Sequence, residues 1–281
     1  NKLGTVSVGN SNPVRIMGIL NTSSESFYKK SISISKKRIV DSVRRMEEDG
    51  ADFVDIGGMS TAPYLSTMVS EKTETHRIIK AVKIIQQVSN LPISIDTCRA
   101  GVAKKSLEFG VDIINDVTGL KYDPMMSKII EKYCPSLVLC AFSKKFTTGN
   151  QLLKTKNLLK ESLSIAKSAG IPSSKIVLDP AIGFFRKEGK GSLFTKINSD
   201  WVKRDLLILK NLKSIKMNKP ILVSVSNKSF IGKILKKQHL ADRLAGTLVA
   251  EMVSVLNGAD IIRTHNVGKT KEVITITQKL S

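Results

Sequence analysis

Pro92-Ile93-Ser94-Ile95-Asp96-Thr97 is an apolar run that ends on a carboxylate. The same form returns downstream: Val111-Asp112-Ile113-Ile114 runs into Asn115, and Ile176-Val177-Leu178 runs into Asp179. Each run gives way to a stretch with helical spacing. A strand, a polar group at its C-terminal lip and then a helix, repeated along a chain, put polar side chains at the carboxyl ends of successive parallel strands. In a closed barrel those ends converge on one mouth, where side chains from distant parts of the sequence meet the same ligand.

Working outward from these runs, eight apolar strand candidates are found, at 14–20, 52–57, 93–97, 111–115, 136–141, 175–179, 220–225 and 259–264. Val, Ile and Leu dominate them, as in strands covered on both faces. Between them lie amphipathic stretches. Ile39, Val43 and Met46 recur at helical spacing within 35–49, and Gly50 supplies a C-terminal stop. The stretches 99–109, 161–169 and 241–257 end in the same way at Gly110, Gly170 and Gly258. Regular alternation of this kind implies parallel strands with right-handed crossovers. Eight strands close a (β/α)8 TIM barrel of about 250 residues, so residues 1–281 are expected to form a single such domain. An open doubly wound sheet is the alternative. No Gly-x-Gly-x-x-Gly follows a strand, which argues against its dinucleotide-binding form. The segment 122–133 is the weakest helix, with Pro124 near its first turn. The first ten residues suggest a short strand or hairpin over the barrel bottom.

Composition narrows the classes. No apolar run approaches the ~20 residues of a membrane helix, and no charged-then-apolar signal opens the chain, so a soluble cytoplasmic protein is expected. Three cysteines without a Cys-x-x-Cys exclude a disulfide scaffold and argue against zinc; Cys98 reads as a buried thiol. The formal charge of +21 comes from lysines spread through many short pairs, and only 5% of residues are aromatic. That distribution reads as solvated surface, with no nucleic-acid partner and no membrane partner.

Two constellations carry chemistry. Asp96, Asn115, Asp179 and Lys228 stand at four strand ends, and a floor of carboxylates with an amide suits a planar guanidine-like or aminopyrimidine edge. Helix capping is the competing role for each of them, since Asp and Asn are favoured N-caps. Asn21, Ser226, Arg263 and His265 form the second set. Arg263 and His265 share a side by period two, and the first and eighth strands of a closed barrel are neighbours, so this set reads as a phosphate cradle. No Ser/His/Asp triad is present, and His76 and His239 fall in helical stretches. Loops 21–34 and 57–69 are long and lie on the strand-end side, as lids over a substrate do. A third loop, 180–200, carries Arg186, Lys187, Lys190 and three glycines and reads as mobile, able to reach an anion.

These residues match a known family. Met17-Gly18-Ile19-Leu20-Asn21 with Ser26-Phe27, Asp55-Ile56-Gly57-Gly58 with Ser60-Thr61, Ser94-Ile95-Asp96-Thr97, Ile114-Asn115-Asp116-Val117-Thr118-Gly119, and Leu178-Asp179-Pro180 with Gly183-Phe184 resemble, in order, the signatures of dihydropteroate synthase. Ser226-Asn227-Lys228-Ser229-Phe230-Ile231-Gly232, Asp242-Arg243-Leu244-Ala245-Gly246-Thr247 and the stretch Asn257 to His265 are similar to its closing motifs. The resemblance implies that Asp96, Asn115, Asp179 and Lys228 hold a pterin. It implies that Asn21, Arg263 and His265 hold the diphosphate, with Mg2+ at Asn21. Arg263, His265 and Lys228 would carry the catalysis, and Ser60, Thr61, Pro63 and Ser229 would line the aryl-amine site. The implied reaction joins 4-aminobenzoate, or a related aryl amine, to 6-hydroxymethyl-7,8-dihydropterin diphosphate in folate biosynthesis. The implied assembly is a homodimer.

The departures from the family pattern cluster. Ser24-Glu25 stands for the usual Pro-Asp, Met59 for Glu, Ala62 for Arg, Tyr64 for Gly and Asn227 for Arg. Ser224, Cys140-Ala141-Phe142, Arg186 and Asn266 differ as well. The pterin and diphosphate residues survive, so the changes imply an acceptor other than free 4-aminobenzoate, such as one with a larger substituent. A pterin-dependent methyltransferase shares the barrel and the pterin-binding Asp and Asn, but has no use for the cradle of Arg263 and His265. A non-catalytic pterin-binding barrel is the other alternative.

Overall fold

The computed structural model describes residues 1–9, 11–23, 35–64 and 68–280. Ser24-Glu25-Ser26-Phe27 and the rest of 24–34 lie outside these residues. A hairpin of β1 (Lys2–Leu3) and β2 (Val6–Ser7) comes first, antiparallel, as expected for the leading segment. Then β3 (Arg15–Asn21), α1 (Lys36–Glu48), β4 (Phe53–Gly57), α2 (Glu71–Ile85), β5 (Ile93–Asp96), α3 (Ala100–Glu108), β6 (Ile113–Asp116), α4 (Met126–Tyr133), β7 (Ser136–Cys140), α5 (Gln151–Ser168) and β8 (Ile176–Asp179) alternate. The chain continues through β9 (Phe185–Arg186), β10 (Thr195–Lys196), α6 (Trp201–Lys210), α7 (Leu212–Ile215), β11 (Leu222–Val223), α8 (Ser229–Leu235), α9 (Leu244–Leu256), β12 (Ile261–Thr264) and α10 (Val267–Leu280).

Eight of these strands form one parallel sheet in the order β11-β12-β3-β4-β5-β6-β7-β8. A parallel bridge between Leu178 and Ile221 joins its two edges, and the Leu178 N–H donates to the Pro220 carbonyl at 2.9 Å. The sheet is therefore a closed barrel, and the open doubly wound alternative is excluded.

Period two then sorts the interior into layers. Met17, Phe53, Ile113, Val138, Val177, Leu222 and Ile261 form one buried apolar cluster with Leu3 and Val8 of the leading segment, which close its lower end. Two residues further along the strands, the side chains that follow Phe53, Ile113, Val138, Val177, Leu222 and Ile261 on the same face are Asp55, Asn115, Cys140, Asp179, Ser224 and Arg263. An apolar plug thus lies directly beneath a polar layer. The larger core packs between the barrel's outer face and its helices. In α1 the buried residues are Ile39, Val43 and Met46, the predicted stripe, and Ser35 caps the helix by accepting from the Arg38 N–H at 3.3 Å.

Several boundaries differ from the sequence reading. The stretch 161–169 is only the C-terminal part of α5, which Asn150 caps by accepting from the Leu153 N–H. Pro124 stands two residues before α4, near its first turn as expected, but the helix starts at Met126, four residues later than the predicted 122. His239 sits in a bend after α8, whereas His76 is in α2 as expected. The loop 180–200 is not an open one: β9 and β10 pair in parallel within it, Thr147 bridges to Ile197, and Arg186 is buried. No helix among the described residues is long and apolar enough to cross a membrane.

Candidate active site

The polar layer centres on Arg263. Its guanidinium lies 2.6 Å from Asp55 Oδ2 and 2.9 Å from Asp96 Oδ2. The Asn115 amide donates toward the same Asp55 carboxylate at 3.3 Å. Burial alone would lower the Arg263 pKa, but the fields of Asp55 and then Asp96 outweigh it and hold it above its ordinary value. Asp96 is raised, first by desolvation, with Arg263 only partly offsetting it. Its second oxygen, Oδ1, is buried and has no hydrogen-bond partner. An unpartnered buried carboxylate oxygen costs free energy unless a ligand donor meets it.

Asp179 closes the other side of the floor. Its Oδ1 accepts from the Ala181 N–H at 2.7 Å, and the Cys140 thiol lies beside the same carboxylate. Its pKa is raised, mainly by desolvation. The Lys228 ammonium lies 4.3 Å from the centroid of the Phe184 ring, and its pKa falls to about 8, first through desolvation and then through Arg263. The backbone makes room for it: Gly183 has φ +86°, and a Cβ there would stand 2.9 Å from Lys228 Cδ.

The capping role is excluded for Asp96 and Asn115. The first N–H of α3, at Ala100, goes to Asp123 instead, at 2.8 Å. The turn after β6 is organised by the adjacent Asp116, which accepts from the Thr118 N–H and hydroxyl and from the Leu120 N–H. Asp116 does the structural work, and Asn115, one residue earlier and on the opposite face, is left for the mouth.

In the second constellation, Ser226 Oγ and His265 Nδ1 are 3.0 Å apart, and the His265 N–H donates to the same hydroxyl at 3.2 Å. His265 and Asn21 line a cavity of about 480 Å3 together with Arg38 and Arg45 of α1. The His265 pKa is lowered, by desolvation first and then by Arg263 and Lys228. Because the residue keeps substantial solvent contact, the two cations are the firmer cause. The two sets are one continuous surface, with Arg263 at the joint and turned toward the pair Asp55 and Asp96.

The remaining predicted residues lie on the loops. Ser60 Oγ accepts from the Ala62 N–H at 3.4 Å, Thr61 is half-buried, and the Pro63 carbonyl accepts from the Lys190 N–H at 2.9 Å. Ser229 Oγ accepts from Arg186 at 2.6 Å. Met59 is buried and Tyr64 is exposed. Asn227 has φ +58°, a left-handed conformation that Asn tolerates, and its carbonyl is held by Arg243 at 2.9 Å. Cys98 is buried, as expected. Asp55 and Cys140 received no role from the sequence. The signal for Asp55 was there: a carboxylate inside the apolar run Phe53-Val54-Asp55-Ile56 needs a buried cation.

Among the described residues no group of three or more His, Cys, Asp or Glu side chains is placed to hold a metal. A single neutral oxygen donor at Asn21 fits an ion that keeps its waters and takes further ligands from a phosphate substrate.

A model of the pterin-binding enzyme family matches residues 17–265. The dihydropteroate synthase of Clostridium beijerinckii is 34% identical over 266 residues, covering 93% of this chain and 92% of that protein. Among solved structures, the dihydropteroate synthase from Clostridium difficile in the presence of pteroic acid aligns with a TM-score of 0.83 and 32% identity, over 95% of this chain and 97% of the other. The Xanthomonas albilineans dihydropteroate synthase with 4-aminobenzoic acid also gives a TM-score of 0.83, with 25% identity, over 96% of this chain and 93% of the other.

Proposed function

The chain belongs to the pterin-binding enzyme family, and from that membership and the geometry of the mouth we infer that it acts as a dihydropteroate synthase. It condenses 6-hydroxymethyl-7,8-dihydropterin diphosphate with an aryl amine and releases diphosphate. The observation that carries the pterin reading is Asp96 Oδ1, a buried and unpartnered acceptor at the floor of the mouth. The amino and ring N–H donors of a pterin edge supply what it lacks. Asn115 and Asp179 read the rest of the ring's polar rim, and Lys228, held by Phe184, donates to a ring acceptor.

The reaction breaks the C–O bond between the pterin methylene and the diphosphate, with the electron pair leaving on the diphosphate oxygen. The amine lone pair forms the new C–N bond, and the amine proton passes to solvent. An aromatic amine is already nucleophilic, so no strong base is needed. The chain's task is to align the amine and to stabilise charge developing on the leaving group. His265 and Asn21 line the cavity at that position together with Arg38 and Arg45, and Arg263, held by Asp55 and Asp96, stands beside it at the edge of the floor. Bound at Asn21, Mg2+ would neutralise part of the diphosphate charge.

The proposed assembly is a pair of identical chains. Val249 and Leu256 of α9 and Ile276 of α10 are exposed, and the only charged residue of α9, Glu251, is buried. A helix apolar on its outer side is one that a partner covers. Light scattering would give twice the chain mass, and a monomer with all three residues exposed to solvent would refute the pairing.

The function is tested with the pterin diphosphate, Mg2+ and 4-aminobenzoate, following diphosphate and pteroate together. Formation of both supports the synthase. Tight pterin binding without pteroate would leave the pterin floor and move the acceptor elsewhere, and neither signal would refute the reading.

A further inference from the structure

Two segments that family membership would assign to the acceptor, the loop after β4 and the segment after β11, are tied to each other by a third. The carbonyl of Pro63, in the loop after β4, accepts from the Lys190 N–H at 2.9 Å and the Gly191 N–H at 3.4 Å. The approach is close enough that a Cβ on Gly189 would lie 2.7 Å from the same carbonyl oxygen. Three residues before Gly189, the Arg186 guanidinium donates to Ser229 Oγ, in the segment after β11, at 2.6 Å. Pro63 and Ser229 are therefore held by one continuous stretch, 186–191.

Arg186 is fixed on several sides. Its guanidinium stacks 3.9 Å from the Trp201 ring centroid, donates to the Phe185 carbonyl at 3.0 Å and lies 3.6 Å from Asp205. Asp205 is already committed to Arg204 at 3.0 Å and to the Gly183 N–H at 3.0 Å. Two guanidinium groups thus share one carboxylate, and Lys228 adds a third cation on the neighbouring residue of Ser229. The wall behind Ser229 carries an excess of positive charge in a buried setting, where Coulomb interactions are strong.

We propose that Arg186 and the strap 187–191 set the acceptor specificity of this site: Arg186 orients Ser229 Oγ and backs it with a cation for the carboxylate of an aromatic amine, while the strap fixes Pro63 opposite. The proposal rests on the synthase reading above. Arg186 is a positioning residue, acting through Ser229.

The experiment compares 4-aminobenzoate with its neutral isostere 4-aminobenzamide, in wild type and in Arg186→Gln, Arg186→Lys and Gly189→Ala. Loss of a charge-assisted contact predicts a rise of about 30-fold in KM for the acid in Arg186→Gln. The amide KM and the pterin diphosphate KM stay within about twofold, so the acid-over-amide preference collapses. Arg186→Lys keeps that preference and raises KM by about fivefold, because it retains the charge and loses the planar fork. Gly189→Ala pushes the strap off Pro63 and raises KM for both amines alike. An unchanged acid-over-amide preference in Arg186→Gln, or a parallel rise in the pterin diphosphate KM, overturns the inference. Should Arg186→Gln fail to fold, unchanged amine KM values in the other two variants overturn it. Absence of pteroate from the wild type would remove the synthase reading itself, a result distinct from turnover with an unaltered preference.

Discussion

Replacing Asp96 with Asn separates the binding role of the floor from its structural one. The substitution is nearly isosteric and leaves Arg263 with Asp55 at 2.6 Å, so the guanidinium is not orphaned. What changes is the carboxylate that offers Oδ1 to a ligand. An Asn presents one acceptor and one donor there, and the donor meets the N–H groups of the pterin edge. Loss of one hydrogen bond to a charged group, about 1.5–3 kcal/mol, plus that conflict amounts to roughly 2–4 kcal/mol, or about 30-fold to 1,000-fold in pterin affinity. Stability moves differently. Asp96 has a raised pKa, with desolvation the leading cause, so its charged form is disfavoured in the folded chain and a neutral side chain removes that penalty. The variant should unfold at the wild-type temperature or slightly above it at neutral pH. Calorimetric titration with the pterin alone, beside thermal unfolding, measures both. Wild-type affinity should climb with pH as Asp96 ionises, whereas the variant's profile loses that rise. Binding within threefold of wild type by a folded Asp96→Asn would refute the assignment, and an unfolded variant would show that the Arg263 pair is structural.

Three further perturbations test the surroundings. Ala181 sits at φ +58°, where an L-residue pays about 1–2 kcal/mol; glycine relieves this but loses chain entropy and a buried methyl worth about 0.8 kcal/mol, so Ala181→Gly should leave stability within about 0.5 kcal/mol in urea unfolding, and a loss of about 2 kcal/mol or more, usual for a core truncation, would contradict it. Lys228→Met should weaken pterin binding and raise the unfolding temperature at pH 7. The Lys228 pKa falls from 10.5 to about 8 on folding, so the unfolded chain binds more protons between those values and wild-type stability recovers as pH rises; the gap between the two proteins must narrow toward pH 10. Glu251 is buried, with Oε2 accepting from Thr270 and Oε1 unpartnered, and its pKa rises from 4.5 to about 7. The folded state then binds more protons, wild-type stability falls as pH rises through that window, and Glu251→Gln should remove the fall, worth about 3 kcal/mol at most; parallel pH–stability curves would refute it.

The barrel was legible because its signals are local and repeat. Apolar runs, helical spacing and glycine stops mark each unit; their number allows closure, and the Leu178–Ile221 bridge decides it. The polar floor was legible for the same reason: Asp96, Asn115 and Asp179 each end a run. Asp55 was legible only as a buried carboxylate in want of a cation; that the cation is Arg263, 208 residues away in sequence, no local pattern encodes. The loop 180–200 misled for a related reason. Its lysines and glycines suit an open loop, whereas its conformation is set by tertiary partners, Pro63 and Ser229, that composition does not reveal.

This difference in legibility divides the site physically. The polar floor hangs on barrel strands, with an apolar plug directly beneath. A change there disturbs charge balance among Asp55, Asp96 and Arg263 at once, so substitutions propagate. The proposed acceptor wall hangs on loops joined by a few hydrogen bonds, and Met59, Ala62, Tyr64 and Arg186, the departures that alter size and charge, lie on those loops. Where the chain departs most from the family pattern, the backbone is held by loop contacts; where it adheres, it is held by the barrel. On the proposed reading, a barrel built this way can keep one electrophile and change its nucleophile, because one substrate would rest on strand ends and the other against loops.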